Sequence, residues 1–357
     1  MRDNKIDSLT CLRGLAAWWV VFYHFREAFT FNAFFNSVFS LGYLSVDLFF
    51  ILSGFVIALR YSNWFKVLQL SVVLKYFSKR FERIYPLHIF ILLLYLLNPL
   101  AIYFYSRAGE FGGRYEVVYF FQSVFLVQNW GYSEALKWNI PAWSISTEFA
   151  AYIVYPAWAY AMHAVVKEKL TVCLATLVAL CALLPLVFMA NGYTSLGDNI
   201  PNMGLLRCVL EFMVGSVIGH GFKTCASIGQ PHGTKILMLS LLSLLLGVIF
   251  EIRDYFFVPA AFTLLILSFA LGNVASRMFT NRFLLFLGEI SFSTYLVHYL
   301  VKDWVKFLTP VISLQSFFIY IAIVFVASVL LYKYIETPGK ESLKLIKTAL
   351  RGSKSND

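Results

Sequence analysis

The sequence predicts an all-α, polytopic membrane protein of about ten transmembrane helices with both termini in the cytoplasm. Three observations predict it. Of 357 residues, 60% are hydrophobic, 18% aromatic and only 13% charged, with a mean hydropathy of +0.72. A soluble domain carries about 25% charged residues, so this chain has too few to cover a water-facing surface. Its apolar runs recur along the whole length, each near the ~20 residues that a bilayer-crossing helix needs. Runs such as "IFILLLYLLNPLAIYFY" are continuous, whereas barrel strands alternate polar and apolar residues. The third observation is where the basic residues fall.

Taken in order, the spans lie at about 9–31, 43–59, 84–105, 142–165, 170–190, 204–222, 235–250, 255–272, 283–301 and 313–332. With the N-terminus inside, the inner segments and the tail hold 20 of the 29 Lys and Arg residues, the outer segments 7, and Arg13 and Arg207 fall within spans. Cytoplasmic loops carry the excess of Lys and Arg, so this asymmetry chooses the orientation. The net charge of +10 is then mainly a topological signal. It suits contact of inner loops and tail with anionic lipid and excludes nucleic acid as the expected partner.

The chain reads as one membrane-embedded unit, with a core at about 7–337 and a basic tail at 338–357. The N-terminal run is no cleaved signal peptide, because it is too long and contains Arg13. The longest extramembrane stretch, 106–141, contains "VVYFFQSVFLVQNW" and is expected to lie on, or dip into, the outer surface. The halves show no internal repeat, which weighs against inverted-repeat transporters. Five cysteines, Cys11, Cys173, Cys181, Cys208 and Cys225, are an odd number without close spacing. They indicate neither a disulfide framework nor a zinc site, and no metal is expected. Nothing in the sequence sets an oligomeric state.

Ionisable groups at membrane depth are costly and usually face a bundle interior or a cavity. His24 follows Arg13 by 11 residues, which returns to nearly the same helix face about 16 Å further along the axis. Gly14 and Ala17 lie near this face and are small enough to admit another helix. Asp47 enters the second span within its first turn, Glu148 the fourth at similar depth, and the ninth carries His298 into the outer half. Two imidazoles and two carboxylates at comparable depth point to one polar site. Singly, each is as readily a structural hydrogen-bonding group, and interface anchoring competes for His298 beside Tyr299. Arg13 and Arg60 snorkel to inner headgroups by default. At the inner edge, "YFSKRFERIYPLHIF" places Arg80 and Arg83 three apart. On a helix they share a face and could fork onto phosphates, although a positive-inside flank has the same composition.

These segments together resemble the acyltransferase 3 family of integral-membrane acyltransferases, whose members modify surface glycans and some small molecules. The resemblance rests on "IDSLTCLRGLAAWWVVFYHF", "GYLSVDLFFILSGFVIALR", "KRFERIYPLHIF", "IPAWSISTEFAAYIVYP", "LLRCVLEFMVGSVIG", "GEISFSTYLVHYLV" and "YIETPGK". They stand in the family's order along nearly the whole chain; Ser45 departs from a common glycine. The resemblance implies ten core helices and a multi-pass protein of the bacterial inner membrane. It implies acyl-CoA as cytoplasmic co-substrate with no bound cofactor, His24 as catalytic histidine, and Arg80 and Arg83 as the pair needed for activity. No appended SGNH hydrolase-like domain, which some relatives carry, is expected.

The expected chemistry is transfer of an acyl group, acetyl first, from acetyl-CoA to a hydroxyl of a glycan or its lipid-linked precursor. His24 acts as general base, since an imidazole pKa near 6.5 suits proton removal at neutral pH. Glu148 or Asp47 holds its tautomer, as the acid does in a hydrolase triad. Arg80, Arg83 and Arg13 bind the donor. Ser144, Ser146, Trp143, Arg207, Tyr295 and His298 form the acceptor or supporting polar site. A covalent acyl-enzyme and a proton-coupled solute transporter are the alternatives.

Overall fold

The computed structural model describes residues 6–29, 32–106, 113–166, 170–309 and 311–339. The basic tail from 340 onward and Lys167 and Lys169 lie outside the described residues. A helix overlaps each of the ten predicted segments: α1 Asp7–His24, α2 Ser45–Tyr61, α3 Leu70–Leu94, α4 Trp143–Val166, α5 Leu170–Ala190, α6 Ile200–Gly229, α7 Gly233–Ile249, α8 Asp254–Leu271, α9 Ser291–Leu308 and α10 Leu314–Leu331. The segments 84–105 and 283–301 are each divided, by the further helices Leu97–Ser106 and Arg282–Glu289. No strand occurs among the described residues.

Six helical stretches are long and apolar enough to cross a membrane. A seventh is added if Arg282–Glu289 and α9, which meet at a 65° bend, form one span. The protein is therefore an all-helical, multi-pass membrane protein. Helices α1, α4 and α7 fall outside that number: α7 is a shorter apolar helix of 17 residues, and the polar side chains of α1 and α4, among them Arg13, His24, Ser144 and Glu148, lower their mean hydropathy.

Glycines set the tightest contacts. A Cβ on Gly215 would stand 1.8 Å from the Ile51 carbonyl oxygen, and one on Gly54 would stand 1.9 Å from that of Phe212. Helices α2 and α6 thus touch backbone to backbone, the small-residue packing that membrane helices use. Gly14 and Gly288 repeat the device. A Cβ on Gly14 would meet the Gly288 nitrogen at 2.6 Å, and one on Gly288 the Thr10 carbonyl oxygen at 2.0 Å. This joins α1 to the helix Arg282–Glu289 and fixes the start of α9.

Two elements differ from their expected form. Helix α1 ends at His24 rather than near residue 31, and the chain turns into a 3₁₀ segment at Arg26–Phe29. The Arg26 guanidinium donates to the Tyr23 carbonyl at 2.8 Å, as basic groups do at helix C-termini, while Phe25 stacks on Tyr320 at 4.6 Å. The stretch 113–142 packs into the bundle more deeply than a surface segment. Trp138 is 1% exposed, and Gln128 and Asn129 are buried. The Ser146 hydroxyl donates to the Leu126 carbonyl at 2.8 Å and accepts from the Asn129 amide at 3.2 Å.

Candidate active site

Helices α1, α2, α3, α4 and α9 enclose a cavity of about 150 Å³. Its polar lining comprises Arg13, Ser53, Arg80, Arg83, Ser144, Glu148, Tyr152, Ser291 and Tyr295. Six residues singled out from sequence therefore meet on one cavity: Arg13, Arg80, Arg83, Ser144, Glu148 and Tyr295. The remaining lining is apolar, including Phe49, Phe50, Val56 and Phe292. A low-dielectric wall strengthens whatever electrostatic contact a bound anion makes.

The arginines are held, yet each keeps donors to spare. Arg80 lies within α3, where its Nη2 donates to the Tyr61 hydroxyl at 2.8 Å, and its guanidinium lies over the Tyr61 ring at 4.9 Å. One turn on, Arg83 pairs with Glu336, which follows α10. Glu336 also accepts from the Ser293 hydroxyl at 2.7 Å. Arg13 donates to the Gly288 carbonyl at 3.2 Å. A guanidinium has five N–H donors, so these contacts orient the three groups without exhausting them.

Glu148 is the carboxylate among the lining residues. Its Oε1 accepts from the Ser53 hydroxyl and, at 2.6 Å, from the Tyr152 hydroxyl. At the end of the cavity, Ser144 and Tyr295 share a 2.8 Å hydrogen bond. Tyr295 also donates to the Pro141 carbonyl at 3.0 Å and meets the Phe49 ring at 5.7 Å.

One turn beyond Tyr295 on α9 comes His298, fully buried. Its ring lies 5.1 Å from that of His24. His24 also meets Tyr299 at 5.0 Å and Tyr23 at 4.8 Å, both edge-on. The two tyrosines carry cations: Arg26 over Tyr23 at 4.3 Å and Lys302 over Tyr299 at 4.1 Å. His24 is part-exposed and lies outside the lining of the arginine cavity.

The four deep polar groups therefore do not share one site. His24 and His298 pair with each other. Glu148 faces the arginines. Asp47 is spent on Arg207, whose Nε and Nη2 donate to its two oxygens at 2.6 Å each. The expected carboxylate on the His24 ring is replaced by a second imidazole, because α9 rather than α2 or α4 supplies the neighbour. Ser146 is committed to the 126–129 backbone. Trp143 packs edge-on to Phe50 at 5.8 Å and lies under the Arg207 guanidinium at 5.8 Å, so it covers the Asp47–Arg207 pair.

The sequence profile of the acyltransferase 3 family, an acyltransferase domain, matches residues 6–333. The chain belongs to the acyltransferase 3 family. Within the range of similar proteins, the acyltransferase MdmB of Streptomyces mycarofaciens is 29% identical over 324 residues, covering 84% of this chain and 80% of its own length. The O-acetyltransferase OatA of Staphylococcus aureus (strain NCTC 8325 / PS 47) is 22% identical over 366 residues, covering 93% of this chain. The chain spans 57% of the length of that staphylococcal protein. No solved structure matches the chain.

Sequence reasoning missed Ser53 and Tyr152 on this cavity, and Tyr61 and Glu336, which hold its arginines. Glu336 stands in the quoted "YIETPGK", but its partner Arg83 is 253 residues away, and no spacing reveals such a pair. Tyr152 lies four residues after Glu148 on α4, the spacing at which helix side chains meet. That signal was legible.

Proposed function

We propose that this protein moves an acyl group, acetyl first, from cytoplasmic acyl-CoA to a hydroxyl of a surface or exported glycan, or of its lipid-linked precursor. The observation that carries this reading is the cavity on which Arg13, Arg80 and Arg83 converge beside apolar walls. Forked guanidinium donors suit the phosphates of CoA. The enclosed volume, about 150 Å³, is far too small for a whole CoA. It suits the acyl thioester and part of its arm, with the nucleotide left toward the cytoplasmic ends of α3 and α10. Membership of the family and the names of MdmB and OatA support acyl or acetyl transfer.

In this reading His24 removes the acceptor's proton, the alkoxide attacks the thioester carbonyl, and the CoA thiolate leaves. Donors from Tyr295, Ser144 or Arg13 stabilise the oxyanion where they reach it. His24 is part-exposed and outside the cavity lining, but its neighbour His298 lies one turn from the lining residue Tyr295 on α9, so the thioester reaches His24 past Tyr295. The test is transfer of radiolabel from acetyl-CoA to envelope glycans by reconstituted protein. Retention of all label on CoA, with the protein folded, refutes the reading.

A further inference from the structure

Asp47 has both oxygens on Arg207, and Glu148 accepts from Ser53 and Tyr152. Neither carboxylate orients His24, so the neighbour that does must come from elsewhere. His298 stands 5.1 Å away, ring to ring, inclined by 34°. Its Nδ1 lies 2.6 Å from the Tyr295 carbonyl oxygen. A carbonyl can only accept, so Nδ1 carries a proton, and in the neutral ring Nε2 is then a bare acceptor. That Nε2 is buried and has no hydrogen-bond partner. Buried polar atoms are nearly always satisfied, and an exception calls for a use.

We propose that His298 is the positioning residue for His24: its Nε2 accepts a hydrogen bond from the His24 ring once His24 has taken the acceptor's proton. The inference rests on the reading of His24 as general base. The proton balance closes without His298 changing state. The acceptor O–H bond breaks and its proton goes to the far nitrogen of His24, making an imidazolium whose second N–H turns to His298. The oxygen bonds to the thioester carbonyl carbon, the C–S bond breaks, and the leaving thiolate takes the proton from His24.

The surroundings explain why a lone pair is needed there. The charged groups facing His24 are mainly cations. Arg26 lies over Tyr23 and Lys302 over Tyr299, while Lys306 pairs with Glu27 at 2.7 Å. They oppose a further positive charge on the ring. A neutral acceptor fixed by the Tyr295 backbone offsets this and selects which nitrogen of His24 faces the acceptor hydroxyl. The same α9 turn aims the Tyr295 hydroxyl at Ser144 at the end of the arginine cavity, so one helix serves both halves of the reaction.

The test uses full-length protein in nanodiscs, with ¹⁵N-labelled histidine. Turnover is followed as CoA thiol released from acetyl-CoA, with membranes from cells lacking this chain as acceptor source. Wild-type spectra should show His298 protonated at Nδ1 and bare at Nε2. His298→Leu should lower kcat by at least about tenfold, as loss of a tautomer-setting partner does, with the donor KM within twofold. His298→Gln, which keeps an acceptor oxygen, should recover part of the loss. A proton on Nε2 overturns the inference, even if no variant folds. Wild-type turnover by His298→Leu while His24→Ala is inactive also overturns it. Wild-type turnover by His24→Ala instead overturns the general-base reading itself.

Discussion

The Arg207 guanidinium grips both oxygens of Asp47 at 2.6 Å, with side-chain exposures of 2% and 0%. Its remaining reach goes to the Leu196 carbonyl at 2.7 Å. The pair ties α6 to α2 inside the bundle. Removing one partner of a buried pair leaves an uncompensated charge, typically about 3–5 kcal/mol. Asp47→Asn should therefore unfold at markedly lower temperature in detergent, while the folded fraction keeps its donor affinity. Unchanged unfolding with abolished transfer would instead give Asp47 a chemical role.

Glu148 faces three arginines across the cavity. Glu148→Gln keeps an oxygen for Ser53 and Tyr152 but removes the negative charge. CoA should then bind at least as tightly as in wild type, while acyl transfer falls. Calorimetry on the purified variant measures the first and a transfer assay the second. Weaker CoA binding would show that the carboxylate supports the donor site rather than the chemistry.

Glu336 holds Arg83 and is itself 1% exposed. Glu336→Gln should raise the acetyl-CoA KM several-fold more than it lowers kcat, because a loosened guanidinium loses orientation before it loses charge. An effect on kcat alone would separate Glu336 from the donor.

Gly215 has no room for a side chain beside Ile51. Gly215→Val must push α6 off α2, and overpacking of this kind costs about 1–3 kcal/mol or more. Poor yield and a lowered unfolding temperature are expected. An enlargement at exposed Val178, Val178→Trp, which adds more atoms than Gly215→Val, should do nothing measurable to either.

Much of the helical fold was legible because apolar length is a property of contiguous sequence. Helix ends were less so. At the 65° break before Ser291 the Ser291 hydroxyl donates locally to the Gly288 carbonyl at 2.7 Å, while the tertiary contact, Gly288 pressed on Thr10, has no signal in contiguous sequence. Arg80 and Arg83 were read as a pair because three residues separate them on one helix. The grouping of His24 with Asp47 and Glu148 rested on depth, and depth says nothing of azimuth. Azimuth turned Asp47 toward Arg207 on α6 and left His298 beside His24.

The central claim is that the arginine cavity binds an acyl-CoA whose acyl group His24 helps to deliver. The most direct measurement is a donor titration of acetyl transfer in vesicles with acetyl-CoA on the cytoplasmic face, comparing wild type, Arg80→Lys/Arg83→Lys and His24→Ala. Lysine keeps charge but not the forked geometry. The double variant should need far more donor and recover at saturation. His24→Ala should stay at least about 10²-fold down at any concentration, the loss typical of a missing general base. Equal donor dependence in wild type and the double lysine variant, with His24→Ala fully active, would contradict the account.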